Sequence, residues 1–189
     1  QGSIVITPKD RNQFDASDSF FGKTIGRTGG RIANAKFTLN DVEYTIITNV
    51  EHGLHGGVET LGYKDFNVET KEDNEAYICI FSYLSKDMEG GYPGNLKLNV
   101  TYKLYKNENK LSCNYYATTD MDTLLNLSNH AYFNLNAESG LNALNHELYI
   151  NASKMETVKN CLPNAIVKCP ENYSFKEPHL VAKYVYDKD

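Results

Sequence analysis

The sequence predicts an all-β protein, an antiparallel β-sandwich, on three observations. Apolar residues recur at period two over several stretches, polar turn residues separate those stretches, and no stretch carries the apolar stripe of a helix. At 189 residues with 41% hydrophobic content, the chain suffices for one domain with its own core. It holds no apolar run long enough to span a membrane. Residues 1–189 are therefore expected to form a single domain.

Taken in order, "KFTLNDVEYTII" reads as two short strands with Asn40 and Asp41 at the turn between them. "AYICIFSYL" is apolar on both faces and so is expected to be a central strand. "LKLNVTYKLY" puts Leu96, Leu98, Val100, Tyr102 and Leu104 on one face and Lys97, Asn99, Thr101 and Lys103 on the other. "KNEN" supplies a polar turn, and "LSCNYYA" resumes the alternation through Leu111, Cys113, Tyr115 and Ala117, so residues 95–118 read as a hairpin. "SGLNALNHEL" makes one helical turn at most, and "HELYINAS" reads as a further strand. Beyond it, Pro163, Pro170 and Pro178 describe a chain that wraps over the sheets without adding to them. Many short strands with turns between them make a sandwich or a barrel.

The net charge is −5, and the lysines are scattered among acids. No basic stripe is available to neutralise phosphates, which argues against a nucleic-acid partner and for a neutral or weakly polar ligand. Cys79, Cys113, Cys161 and Cys169 match no zinc-ribbon or Cys-x-x-Cys spacing and read as reduced thiols, which points to the cytoplasm. Glycosylation triplets begin at Asn99, Asn126, Asn151 and Asn172, but a chain this rich in asparagine forms such triplets by chance. With no signal peptide opening the sequence, they are set aside.

Three places can carry chemistry. In "GRTGGRIANAKF" the glycines allow tight backbone paths, and an arginine among them presents a rigid fork of donors to oxygen acceptors. The plain reading of the same letters is a surface loop with Arg27 and Arg31 both solvated. In "EHGLHGG", His52 and His55 stand three apart, a spacing that suits either a weak metal pair completed by His130 or His146 or, more simply, histidines bonded to backbone or ligand. "LSNHAYFNL" places His130 beside Asn126 and Asn129, which can orient its ring, and beside Tyr132 and Phe133, whose flat faces suit the C–H face of a sugar. Asn, His and Arg supply the directed hydrogen bonds that hydroxyl groups need.

In order and spacing, "GRTGGRI", "LHGG", "SKDMEGGYPG" before the "LKLNVTYKLY" strand, and "LNLSNHAYFNL" followed by "LPNA" resemble the aldose 1-epimerases, or galactose mutarotases. The resemblance covers nearly the whole chain. It implies a large antiparallel sandwich of the galactose mutarotase type, incomplete at both ends. It also implies an isomerase of carbohydrate metabolism that interconverts the α and β anomers of hexoses such as glucose and galactose, with no cofactor and no metal. By the same resemblance Arg31 and His55 bind the sugar, Tyr132 lies beside the pocket, and His130 is the general acid that protonates the ring oxygen.

Where the family usually reads Ala-Asn-Arg, this chain has Gly29, Gly30 and Arg31, so an amide is missing at Gly30. Phe66 is expected to replace a tryptophan that this chain lacks. The aspartate and the glutamate base expected in the family's last third fall beyond Asp189. Asp87 and Glu89 are the nearest carboxylates by motif, and in a polar turn before Pro93 they read as solvated. The alternative to catalysis is a sugar-binding sandwich that lacks the base. The expected partners are a small aldose and, through exposed strand edges, a second copy of the chain.

Overall fold

The computed structural model describes residues 3–137 and 139–185. The two ends of the expected 1–189 domain, and Glu138, lie outside the described residues. The chain divides into two compact units, a central one of Thr24–Ser128 and a terminal one of Gln1–Lys23 with Asn129–Asp189.

The central unit is built on a four-stranded antiparallel meander, Asn67–Glu72, Ala76–Ser85, Leu96–Tyr105 and Leu111–Thr119, each strand paired with the next. Ala76–Ser85 is an inner strand, as its two apolar faces require. Period two decides which side of the sheet is covered. Val100 stands opposite Phe81 on one side and Tyr115 on the other, and residues directly opposite in a ladder share a face. Leu98 and Val100, both 1% exposed, pack on Leu61 with Phe66, Phe81, Tyr83, Tyr115 and Leu127 around them. Each such side chain contributes about 1.5–3 kcal/mol on burial. Phe66, the expected replacement for tryptophan, sits in this cluster with its ring 5.2 Å from Tyr83. A second cluster joins Ala35, Ile46 and Tyr92 to Ile32, Phe37 and Leu124.

Strands Lys36–Leu39 and Val42–Thr45 form the expected hairpin. Asn40 and Asp41 turn it with φ of 51° and 61°, the left-handed region that short polar side chains tolerate and two-residue hairpins need. The outer strand Asn67–Glu72 is exposed along its whole length. It has no apolar alternation to announce it and is held by its backbone ladder to Ala76–Ser85.

The terminal unit is made of small pieces. Helix Arg11–Ala16 starts at Asp10, whose carboxylate accepts the Gln13 N–H at 2.9 Å. Strand Val5–Ile6 pairs with Tyr132–Phe133, and Glu147–Leu148 pairs with His179–Leu180. Of the expected strand "HELYINAS", only those first two strand residues enter a ladder. The expectation of a wrapping chain beyond Cys161 fails at Leu162–Lys168, which pairs with Lys154–Lys159 as a hairpin. Asn160 and Cys161 turn it at φ of 51° and 63°. Pro163 fits inside the strand because it stands opposite Val158, where the register shifts and a backbone N–H can be spared. Among the described residues of this unit none is buried, and no described helix is long and apolar enough to cross a membrane.

Candidate functional site

Arg31 and His55 come together in the central unit. The two-residue strand Arg31–Ile32 runs antiparallel to Gly53–Leu54, with Arg31 opposite Leu54, so His55 follows directly beside the loop that carries Arg31. Two reciprocal bonds lock the pair of loops. The His55 N–H donates to the Gly30 carbonyl at 3.0 Å, and the Gly30 N–H donates to His55 Nδ1 at 3.1 Å. An Nδ1 that accepts carries no proton, so the neutral ring holds its hydrogen on Nε2. His55 is thereby set as an Nε2–H donor, and Arg31 stands exposed next to it. Gly56 makes the close approach possible: its φ is 94°, and a Cβ there would land on the Gly26 carbonyl oxygen. His52 does not join His55, because its own Nδ1 accepts the Asn34 N–H at 3.2 Å.

Arg27 is not the solvated arginine that its loop suggested. It is 2% exposed, and its guanidinium bonds to Ser85 Oγ at 3.0 and 3.1 Å, Pro93 O at 2.8 Å, Lys86 O and Gly94 O at 2.9 Å, Thr123 Oγ1 at 3.1 Å and Ser85 O at 3.2 Å. Two tight turns aim their carbonyls inward at this point, and a planar fork of five N–H groups is the side chain that satisfies them. Burial lowers its pKa, while Glu89 and Asp87 act to raise it. The guanidinium stays charged.

Glu89 also departs from the solvated acid expected of its turn. Its Oε1 lies 3.0 Å from Lys64 Nζ and accepts the Tyr83 hydroxyl at 2.8 Å. Burial raises its pKa, but Ser85, Tyr83 and Lys64 together hold the carboxyl below its ordinary value. Tyr83 is correspondingly pushed up to about 12, by burial and by its bond to Glu89. Asp87 instead caps the turn, accepting the Gly94 N–H at 2.6 Å.

His130 and Tyr132 lie together in the terminal unit. His130 is outside any ladder, just after strand residue Asn129. Its backbone N–H donates to Lys23 O at 2.9 Å, and its carbonyl accepts the Gly22 N–H at 3.0 Å. The Asn129 side chain fixes the chain on either side, donating to Gly22 O at 3.1 Å and accepting the Ala131 N–H at 3.0 Å. The imidazole is half-buried with its centroid 5.1 Å from Tyr132 and 6.0 Å from Phe20. Tyr132 packs 5.1 Å from Phe21, and its hydroxyl donates to Ser19 O at 3.0 Å. Among the described residues no group of three or more His, Cys, Asp or Glu gathers as a metal site.

The family model for aldose 1-epimerase matches residues 1–189. The chain belongs to the aldose 1-epimerase family. It is 39% identical over 167 residues to an aldose 1-epimerase of Haemophilus influenzae, which covers 87% of this chain and 48% of that protein. To a galactose mutarotase of Sus scrofa it is 38% identical over 160 residues, 84% of this chain and 45% of the relative. The epimerase-family chain thus spans about half the length of the curated relatives it matches. Its fold is that of a galactose 1-epimerase structure from Lactobacillus acidophilus, with a TM-score of 0.90 at 24% identity over 100% of this chain and 56% of that one. The all-β sandwich reading of the sequence agrees with this.

The sequence reading did not find Arg27 as a buried group. Its only signal is a Gly-Arg-Thr run whose letters also describe a surface loop. Glu89 likewise differs from a solvated acid only through Tyr83 and Lys64, which are distant in sequence or unremarkable within it.

Proposed function

We propose that the chain acts in an aldose 1-epimerase, interconverting the α and β anomers of aldohexoses such as glucose or galactose. The observation that carries this reading is the locked pair of loops that presents Arg31 beside a His55 fixed as an Nε2–H donor. A guanidinium and a neutral imidazole N–H are suited to the hydroxyl oxygens of an uncharged sugar. In this reading Tyr132 offers a ring face to the sugar, and His130 gives a proton to the pyranose ring oxygen.

A carboxylate base removes the proton of the anomeric hydroxyl as the C1–O5 bond breaks, leaving an aldehyde and a free hydroxyl. Rotation about the C1–C2 bond and reclosure deliver the other anomer. His130 then takes back the proton and the base returns its own, so the cycle consumes nothing. Imidazole suits the donor role because its reference pKa of about 6.5 makes both protonation states available near neutrality. Glu89 is a poor candidate for the base, since Lys64 and Tyr83 already engage its carboxylate.

The same reading puts the chain in the cytoplasm, where its four free cysteines suit a reducing compartment. It also includes self-association through strand edges such as Leu162–Lys168, whose Ile166 is 74% exposed. Light scattering after gel filtration checks that part, and a monomer at all concentrations would contradict it. Polarimetry of freshly dissolved α-glucose and α-galactose tests the activity. The expected result is a faster drift than in buffer alone that a His130→Ala variant loses, and equal drift with both proteins would remove His130 from the reaction.

A further inference from the structure

We infer that Arg27 is the positioning residue for Arg31 and His55, holding from beneath the loop that presents them. The inference rests on the sugar-binding reading of those two residues and adds what sets their geometry. The loop is tied at nearly every step: Gly26 O accepts the Leu61 N–H at 3.2 Å, Arg27 O accepts the Asn126 N–H at 2.8 Å, and the Gly29 N–H donates to Asn126 O at 2.7 Å. Gly30 then closes on His55.

Under this backbone the Arg27 guanidinium joins three separate segments, Ser85–Lys86, Pro93–Gly94 and Thr123. Its partners are neutral oxygens, and among the described residues none of the close ion pairs involves it. Glu89 lines a small cavity with Arg27 but makes no close ion pair with it. A buried cation without a direct ion pair is an expensive way to fill space, which an apolar side chain of similar size would do without the desolvation cost. Its distinctive contribution is direction: five N–H groups in one plane fix the guanidinium, and hence the loop, in one orientation.

The coupling to the sugar-binding residues is short. Arg27 and Gly56, the residue after His55, line the same cavity of about 10 Å³ with Gly26, Ser85, Glu89 and Tyr92. That is barely the size of one water. Little slack therefore separates the guanidinium from the His55 loop, and a displaced guanidinium shifts Gly56 and with it the His55–Gly30 bond.

The test uses the full 189-residue chain and two mild variants, because Arg27→Met removes many bonds at once and endangers the fold itself. Ser85→Ala deletes the hydroxyl shared by two guanidinium nitrogens, and Thr123→Val deletes the acceptor of Nη1. The first readout is the pair of His55 ring ¹⁵N shifts, which reports the tautomer without any sugar. The second is the affinity for D-galactose, followed by the Gly30 amide.

The parent chain is expected to show one tautomer with an unprotonated Nδ1. Ser85→Ala is expected to move the ring shifts toward averaged values and weaken galactose binding about tenfold, a difference near 1.4 kcal/mol, with Thr123→Val following by a smaller step. Variants that melt earlier yet keep the parent's ring shifts and affinity would overturn the inference and leave Arg27 a purely structural group. If the parent binds no galactose while the variants still disturb the His55 tautomer, the positioning inference stands and the sugar-binding reading falls.

Discussion

The two units stabilise their functional residues by different means. In Thr24–Ser128, Ile46, Tyr92, Leu96, Leu98 and Val100 are each 1% exposed, and a buried arginine network underlies the loop that carries Arg31 and His55. In the terminal unit no described residue is buried, and Phe133, Leu135 and Ile166 are 57%, 65% and 74% exposed. There His130 and Tyr132 depend on backbone bonds to Gly22 and Lys23 and on ring contacts with Phe20 and Phe21. The lesson is that stability and function are entangled in the first region and separable in the second. A substitution near His55 must be judged against its effect on folding, whereas one at His130 reports on chemistry more directly.

The largest expected effects should break the central unit alone. Gly56→Ala sets a Cβ on the Gly26 carbonyl at a φ of 94°, and it is expected to cost more than about 3 kcal/mol in urea unfolding. Leu98→Ala empties a core position and is expected to cost about 2–5 kcal/mol. The matched change Leu135→Ala, in the terminal unit, is expected to stay within about 0.5 kcal/mol. Equal losses for the two leucines would end the comparison.

The acid limb of stability sharpens the comparison further. Glu89 has its folded-state pKa held below the ordinary carboxylate value, so it contributes stability that is present above that ordinary value. The contribution is lost as pH falls through the depressed one. Unfolding free energy of the parent should therefore decline on acidification, and Glu89→Gln should flatten the decline while lowering stability at neutral pH. An unchanged slope would remove Glu89 from the network. A small change in stability is also expected at Gly30→Asn, about 1 kcal/mol or less, because φ of 79° is tolerable for asparagine and a Cβ there meets open space. Supplying an amide beside Arg31 should tighten galactose binding, as calorimetric titration of the variant beside the parent would report.

Much of the central unit was legible because burial on one face imposes a period on the letters. Strand Leu96–Tyr105 alternates in its letters from Leu96 to Leu104 and in its burial from Leu96 to Val100, and Asn40 with Asp41 marks a turn that requires positive φ. The strands that were missed lack any such imprint. Asn67–Glu72 is exposed on both faces and is specified by its partner's backbone, while Leu162–Lys168 hides its pairing behind a proline at a register shift. Helix Arg11–Ala16 has six residues, too few to display a helical period. The site was legible as motifs, so Arg31, His55, His130 and Tyr132 could be named from their neighbours. The burial of Arg27 could not, since most of its acceptors are backbone carbonyls, which leave no trace in a sequence, and the other two are the ordinary hydroxyls of Ser85 and Thr123.

The most direct test of the central reading is titration of the full chain with D-galactose beside Arg31→Ala and His55→Ala variants, all first shown to be folded. Binding does not require the carboxylate base, so it isolates recognition from turnover. The account predicts a saturable shift of the Gly30 amide in the parent that both variants lose. A parent that saturates equally well without Arg31 or His55, or that shows no shift at any sugar concentration, would contradict it.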